Sequence, residues 1–362
     1  MLRKLQKEAL DAWLNFGKKG VVVLPTGTGK SFVGLAAAVQ ISKEIDEAKI
    51  LFLAETRARE KTLKEELIKY SKLSSDKTPE IEFMCYQSAY KLTDQYYDLV
   101  IADEIHSSIS EKYKEFYDKN SYKYIIGLTA TPRVDKELSL NFYEKIPIVF
   151  EATIKDAVDS GAILDYKLHI INHKLDNKDA YIEAGRKGNK FFTTEKKHYE
   201  FLNKMLIKNY YTNKGLLKLF IARRAKFLYN LKSKIGLTKK LIGKGDRVIV
   251  FANSLEFLEQ VCDHVVKGSD PNTLQYIDDF NEGKISVIGS FKMLEQGVNL
   301  KGVDTVVLAS YFSVSGTFLQ RIGRALRKDS KTPNIYIIRT LNTAEEKWVN
   351  SQLSAVPKNK KR

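Results

Sequence analysis

The feature that most narrows what this chain can fold into is the run from Val21 to Ile41. Four apolar residues, Val21-Val22-Val23-Leu24, lead into Pro25-Thr26-Gly27-Thr28-Gly29-Lys30-Ser31, and a helix-like stretch from Phe32 to Ile41 follows. A short unbroken apolar run bounded by turn residues reads as a strand buried on both faces, the setting of a parallel sheet covered by helices. A glycine-containing loop between such a strand and a helix N-terminus aims backbone N–H groups and the positive end of the helix dipole at one point, which favours an anion. The loop closes with Gly29-Lys30-Ser31 and lacks the first glycine of the general phosphate-loop (Walker A) pattern. In such a loop Lys30 reaches the outer phosphates of a nucleoside triphosphate, and the Ser31 hydroxyl holds Mg²⁺. Pro25, Thr26, Gly27, Thr28 and Gly29 are the expected cradle. The plainer alternative is a turn at an ordinary strand–helix junction.

The strand–helix rhythm continues on both sides of this loop. Strand candidates are Gly20–Leu24, Ile50–Ala54, Ile81–Cys85, Leu99–Ala102, Tyr124–Leu128 and Ile148–Phe150, with helix candidates such as Lys4–Asn15, Phe32–Lys43 and Ala58–Leu73 between them. The rhythm returns at Arg247–Ala252, Ile285–Gly289, Thr305–Ala309 and Ile335–Arg339, alternating with helix candidates Leu255–Val266, Leu274–Glu282, Gly316–Arg327 and Ala344–Leu353. Such alternation argues α/β units, each with a parallel sheet covered on both faces. A chain of 362 residues suits two of them. The expected organisation is an N-terminal α/β domain over 1–164, a different segment over 165–244, a second α/β domain over 245–355 and a basic tail over 356–362.

The middle segment carries the charge. The whole chain has a formal net charge of +16, and residues 165–244 hold 20 Lys and Arg against 6 Asp and Glu. From Phe201 to Lys244 there is no acidic residue, and Leu216, Leu219, Phe220, Phe227, Leu228, Leu231 and Ile235 recur at helical spacing. Basic helices with interleaved Tyr199, Phe201, Tyr210 and Tyr211 suit a polyanion, nucleic acid first; the plainer reading is a helical core with a solvated lysine face. Cys85 and Cys262 lie far apart without metal spacing. They read as buried thiols in a reducing, cytoplasmic compartment, whether nucleoid or a host cell's cytoplasm. No apolar run approaches the roughly 20 residues that cross a bilayer, so a membrane is not an expected partner, and no leader is visible at the N-terminus.

Two further strand ends carry polar groups. Val100-Ile101-Ala102 runs into Asp103-Glu104, and Gly127-Leu128 runs into Thr129-Ala130-Thr131-Pro132. In a parallel α/β sheet the carboxyl ends of the strands face the ligand crevice. Asp103 there can hold Mg²⁺ opposite Ser31, and Glu104 can orient and deprotonate an attacking water. Most Asp-Glu pairs are solvated loop charges; one that closes an apolar strand downstream of a phosphate loop is more specific.

Taken in order, Pro25–Ser31, Asp103-Glu104-Ile105-His106, Gly127–Pro132, Gly297-Val298-Asn299-Leu300 and Gln320-Arg321-Ile322-Gly323-Arg324-Ala325-Leu326-Arg327 resemble the motif series of the superfamily 2 helicases. The Asp-Glu-x-His box is similar to the DEAH-type branch. Leu2-Arg3-Lys4-Leu5-Gln6 and Tyr86-Gln87-Ser88 are similar to the motors of restriction enzymes and DNA-repair translocases. The resemblance implies two tandem RecA-like domains with a basic helical insertion between them. It implies that Gln6 reads adenine, that Thr129, Thr131 and His106 link nucleotide state to domain closure, and that Asn299 faces the ribose. Gln320 would face the γ-phosphate, and Arg324 and Arg327 would be arginine fingers reaching across an interdomain cleft. Arg57, Gln87 and Gly297 would touch the nucleic-acid backbone. The segment Glu55–Arg59 matches that backbone-binding motif loosely, because Arg57 and Arg59 stand where the family often has Arg followed by an apolar residue.

The function so implied is an ATP-dependent helicase or translocase, with ATP and Mg²⁺ as cofactors, acting as a monomer on nucleic acid, DNA in preference to RNA. A partner protein would give it specificity. Two alternatives stand beside it: the motor subunit of a restriction or defence complex, and a nucleic-acid-binding factor that uses ATP as a clamp without unwinding.

Overall fold

The computed structural model describes residues 2–354 apart from 56, 74–77, 131, 133–136, 164, 187, 268–269, 292–299 and 312–331. These residues form two compact units, and the second begins at Asp165.

The first unit runs α1 (Lys4–Asn15), β1 (Lys19–Val23), α2 (Lys30–Glu44), β2 (Ile50–Ala54), α3 (Arg57–Leu73), β3 (Glu82–Cys85), α4 (Tyr86–Ala89), β4 (Tyr96–Asp103), α5 (Glu115–Lys119), β5 (Ser121–Thr129), α6 (Glu137–Lys145), β6 (Ile148–Glu151) and α7 (Ile154–Asp159). Its six strands lie in the order β3-β2-β4-β5-β1-β6, every described pairing parallel. Strands buried on both sides explain the apolar runs: Val21, Val22, Leu51, Phe52, Val100 and Ile101 are each fully buried. Parallel pairing also brings all six carboxyl ends to one edge of the sheet. Gly34 lets α2 settle onto β4 and β5, since a Cβ there would stand 2.8 Å from Ile101 Cγ2 and 3.0 Å from Leu128 Cδ1. On α1, the buried Trp13 donates Nε1–H to Ile125 O at 2.8 Å and fixes that helix against β5.

The second unit runs β7 (Lys167–His173), β8 (Ile182–Arg186), β9 (Asn189–Thr193), α8 (Glu195–Asn209), α9 (Lys214–Tyr229), α10 (Ser233–Ile242), β10 (Val248–Ala252), α11 (Leu255–Leu258), β11 (Val265–Val266), α12 (Thr273–Asn281), β12 (Val287–Phe291), β13 (Thr305–Leu308), β14 (Asn334–Thr340) and α13 (Ala344–Ser354). Its sheet has the order β11-β12-β10-β13-β14-β7 and is again parallel. Two parallel six-stranded sheets with helices agree with the expected tandem RecA-like architecture.

Two sequence readings are corrected. The segment after Asp165 was expected to be helical, yet β7 pairs with β14 over seven residues, and β8 and β9 form an antiparallel hairpin. The strand that pairs with Lys167–His173 is Asn334–Thr340, far along the chain, so no local pattern announces it. The helix expected over Leu255–Val266 stops at Leu258. Leu258, Val261 and Cys262 are buried in the same apolar cluster at helical spacing, while the β-branched Val265 and Val266 are drawn into an edge strand beside β12. The helix expected over Gly316–Arg327 and the tail over 356–362 lie outside the described residues.

From Glu195 to Ile242 the expected helices form. Thr194 caps α8 by accepting from Lys197 N–H, and Asn213 caps α9 by accepting from Leu216 N–H. A polar network ties them to the sheet. Ser233 Oγ donates to Glu195 Oε2 at 2.6 Å and lies 2.9 Å from His173 Nε2. Beside it, Lys234 and Glu345, both fully buried, form an ion pair at 2.7 Å.

Candidate phosphate and metal site

Register places the chemistry. Val23 pairs with Thr129 across β1 and β5, and Asp103 pairs with Leu128 across β4 and β5. The loop after β1, the two carboxylates after β4 and the hydroxyl ending β5 therefore share one stretch of sheet edge in the first unit.

The loop is tightly held. Gly29 begins α2 with φ +81°, a left-handed conformation that favours glycine. A Cβ on it would also stand 2.6 Å from Gln6 Nε2. Gln6, 5 % exposed, donates its amide N–H groups to Thr28 O at 2.7 Å and Gly29 O at 3.2 Å, while its Oε1 accepts from Arg3 N–H at 2.9 Å. The Gln6 carboxamide thus braces the cradle from α1. Thr28 Oγ1 donates to Pro25 O at 2.7 Å, whereas the buried Thr26 Oγ1 has no hydrogen-bond partner among the described residues. An orphaned hydroxyl inside a loop of this shape suits a cradle completed by an anion.

Lys30 and Glu104 face each other, with Nζ 3.4 Å from Oε1. Glu104 sits at φ +47°, directly after β4, an uncommon conformation for a non-glycine residue that directs its carboxylate away from the strand. Burial by itself would raise its pKa; Lys30 and His106 outweigh burial and hold it below the ordinary carboxylate range. Glu104 is therefore ionised near neutrality, as a base must be. His106 Nδ1 lies 2.8 Å from Thr129 Oγ1 and 3.5 Å from Glu104 Oε2. The three side chains form one polar chain from the end of β4 to the end of β5.

Asp103 is 2 % exposed and stands beside Ser31. One guanidinium bridges them: Arg59 Nε donates to Asp103 Oδ2 at 2.8 Å and Arg59 Nη2 donates to Ser31 Oγ. Its Nη1 donates to Glu66 Oε1 at 3.1 Å, within α3. Burial would lower the Arg59 pKa, but Asp103 and Glu66 raise it above its ordinary value. Behind the site, the buried Tyr86 hydroxyl donates to Asp103 O at 2.9 Å. A hydroxyl and a buried carboxylate held side by side on a cation suit a hard divalent ion. Magnesium is usually held by one or two protein groups, with phosphate oxygens and water completing the shell. Among the described residues there is no group of three or more His, Cys, Asp or Glu able to hold a metal without such help.

Of the residues singled out in the sequence, the structure thus brings together Gln6, Pro25–Ser31, Asp103, Glu104, His106 and Thr129. Gln87 lies in α4 at the same sheet edge and is exposed. Arg57 begins α3, its side chain outside the described residues, and Thr131, Gly297, Asn299, Gln320, Arg324 and Arg327 lie outside them altogether. Arg59 and Tyr86 were not assigned to this site from sequence. The one available signal was the spacing of Arg59 and Glu66, two turns apart on one helix face.

Comparison with known proteins finds a family model in each unit. The model of the type III restriction enzyme res subunit matches residues 1–134, and that of the helicase conserved C-terminal domain matches residues 233–329. The chain is 26 % identical over 386 residues to the DNA 3'-5' translocase XPB2 of Sulfurisphaera tokodaii, covering 95 % of this chain and 82 % of that protein. It is 22 % identical to the type I restriction enzyme EcoAI endonuclease subunit of Escherichia coli, covering 97 % of this chain and 46 % of that subunit. In fold it is similar to the ATP-dependent type ISP restriction-modification enzyme LlaBIII bound to DNA (TM-score 0.64, 14 % identity, all of this chain and 30 % of that one). It is also similar to the Hef helicase domain of Pyrococcus furiosus (TM-score 0.56, 16 % identity, 97 % and 98 %). The res-subunit model thus falls in the first α/β unit and the helicase C-terminal model in the second, and with relatives aligned along nearly the whole length they support a superfamily 2 helicase or translocase, a group of ATP-hydrolysing enzymes.

Proposed function

We propose that the chain is an ATP-dependent DNA translocase or helicase that uses Mg²⁺ and works through the site on its first sheet. The observation that carries this reading is the convergence of Lys30, Ser31, Asp103 and the ionised Glu104 at one strand edge. The ammonium of Lys30 draws the outer phosphates, and the Pro25–Gly29 loop cradles them. Ser31 and Asp103 hold the cation, which neutralises phosphate charge when bound. Glu104 orients the attacking water and accepts its proton; general-base catalysis of this kind contributes about 10²–10⁴-fold. Thr129 and His106 tie Glu104 to the end of β5, so a change at the carboxylate is felt one strand away. Gln6 senses the base from its place against the loop. The family resemblance gives Gln320, Arg324, Arg327 and Asn299 a share in nucleotide binding and hydrolysis, where an arginine contributes about 10³–10⁵ in rate. Arg57, Gln87 and Gly297 grip the DNA backbone.

The test is the ATPase rate of the full chain without nucleic acid and with single-stranded, duplex and forked DNA and RNA. Stimulation by DNA is expected. No stimulation by any of these polymers overturns the reading, and stimulation by RNA alone overturns the choice of DNA. A second reading, the motor of a restriction or defence assembly, is favoured by the res-subunit model over residues 1–134 and the EcoAI relative. Co-purification from the native source with a nuclease or methyltransferase subunit decides for it.

A further inference from the structure

We propose that Arg59 is an internal competitor of the divalent cation: its guanidinium holds Ser31 Oγ and Asp103 Oδ2 together and must leave both before the cation is coordinated. The inference rests on the reading of Ser31 and Asp103 as the cation's protein partners. The geometry is specific. Nε and Nη2 form one edge of the guanidinium, and that edge meets Asp103 Oδ2 at 2.8 Å and Ser31 Oγ beside it. A Mg²⁺ ion needs oxygen ligands at about 2.0–2.1 Å in near-octahedral order, so it cannot share these oxygens with a guanidinium in the same place. Two positive charges within a few ångströms in a buried setting also repel strongly. The guanidinium and the cation therefore compete for Asp103 Oδ2 and Ser31 Oγ.

The arrangement gives Arg59 somewhere to go. Its remaining Nη1 is bonded at 3.1 Å to Glu66, which lies on the same helix, seven residues on and partly exposed. A guanidinium that lets go of Ser31 and Asp103 keeps a carboxylate partner on α3. Glu66 is thus the second anchor of a two-position side chain, and Asp103 is the first. In the first position Arg59 neutralises Asp103 and keeps it oriented beside Ser31. In the second it leaves both oxygens to the incoming cation. Arg59 belongs to α3, whose first residue is Arg57, so the exchange also releases a constraint on the helix expected to meet the DNA backbone.

The consequence is a raised cation requirement in the native chain. A charge-assisted hydrogen bond is worth about 1.5–3 kcal/mol, so removing the competitor should tighten cation binding by about tenfold or more. The experiment follows Mn²⁺ binding to the full chain by electron paramagnetic resonance, first alone and then with saturating ADP. Arg59→Gln is expected to bind Mn²⁺ about tenfold more tightly than the native chain in both arms. Glu66→Gln, which removes the second anchor, is expected to shift affinity the opposite way. Equal or weaker Mn²⁺ binding by Arg59→Gln in the ADP-free arm overturns the proposal. Should that variant not fold, unchanged or tighter Mn²⁺ binding by Glu66→Gln overturns it instead. The ADP arm separates this claim from the proposed function: ADP that fails to tighten Mn²⁺ binding in the native chain counts against the nucleotide site, while the ADP-free comparison still decides the role of Arg59.

Discussion

At the scale of single residues, Glu104 has the clearest division of labour. It is the carboxylate opposite Lys30, it follows a buried strand in a left-handed conformation, and it is held below the ordinary carboxylate range against burial, chiefly by Lys30. A neutral amide of the same shape keeps the packing but cannot accept a proton. Glu104→Gln is therefore expected to lower kcat by about 10²–10⁴ while nucleotide affinity stays within a few-fold of the native value. Single-turnover hydrolysis and equilibrium nucleotide titration check the two halves, and native turnover in this variant removes Glu104 as the base. Asp103, one residue away, has a different task. It is more deeply buried, bonded by Arg59 rather than Lys30, and braced behind by Tyr86. Adjacent residues at a strand end point in different directions, and so, in the proposed function, one dipeptide serves both the cation and the water.

At the scale of elements, the second sheet depends on a strand and helices drawn from before it in the chain. His173 on β7 is buried between Thr340 on β14 and Ser233 on α10, and burial holds its pKa down to about 4, so it is neutral there. Lys234 on α10 is paired with Glu345 on α13, and its Nζ also lies within reach of Leu228 O and Ala309 O. Breaking a buried pair from one side leaves a buried charge without its partner. Lys234→Met is expected to destabilise the second unit by about 3–5 kcal/mol, and Glu345→Gln added to it should recover most of that loss. Urea denaturation of the single and double variants checks this; equal stability of Lys234→Met and the native chain removes the pair as the clamp between α10 and α13. The hairpin of β8 and β9 is held differently: its exposed Phe191 and Phe192 contribute little to a core.

At the scale of the whole molecule, the charge asymmetry stands out. The helices α8 and α9 expose Lys204, Lys208, Lys214 and Lys218 alongside Tyr210 and Tyr211. If these lysines meet phosphates, replacing all four by Gln should weaken DNA binding. The plot of log affinity against log salt should also flatten, by up to about one unit for each lysine that neutralises a phosphate. Fluorescence anisotropy across a salt series measures that slope, and an unchanged slope places the phosphate-binding groups elsewhere. Much of the molecule was legible in the chain itself. Strands buried on both faces must be apolar throughout, so β1, β2 and β4 announced themselves, and a loop that binds phosphate needs its glycines, Lys30 and Ser31 in fixed order. Local chemistry therefore announced the α/β class, the glycine-containing loop between β1 and α2 and the strand that ends at Asp103. It could not show β7, whose partner β14 lies far along the chain, nor the early stop of α11, where sheet pairing overrode helical spacing. Nor could it show that Arg59 crosses to Ser31 and Asp103. Those depend on which distant backbones and side chains meet, and only the tertiary structure decides that.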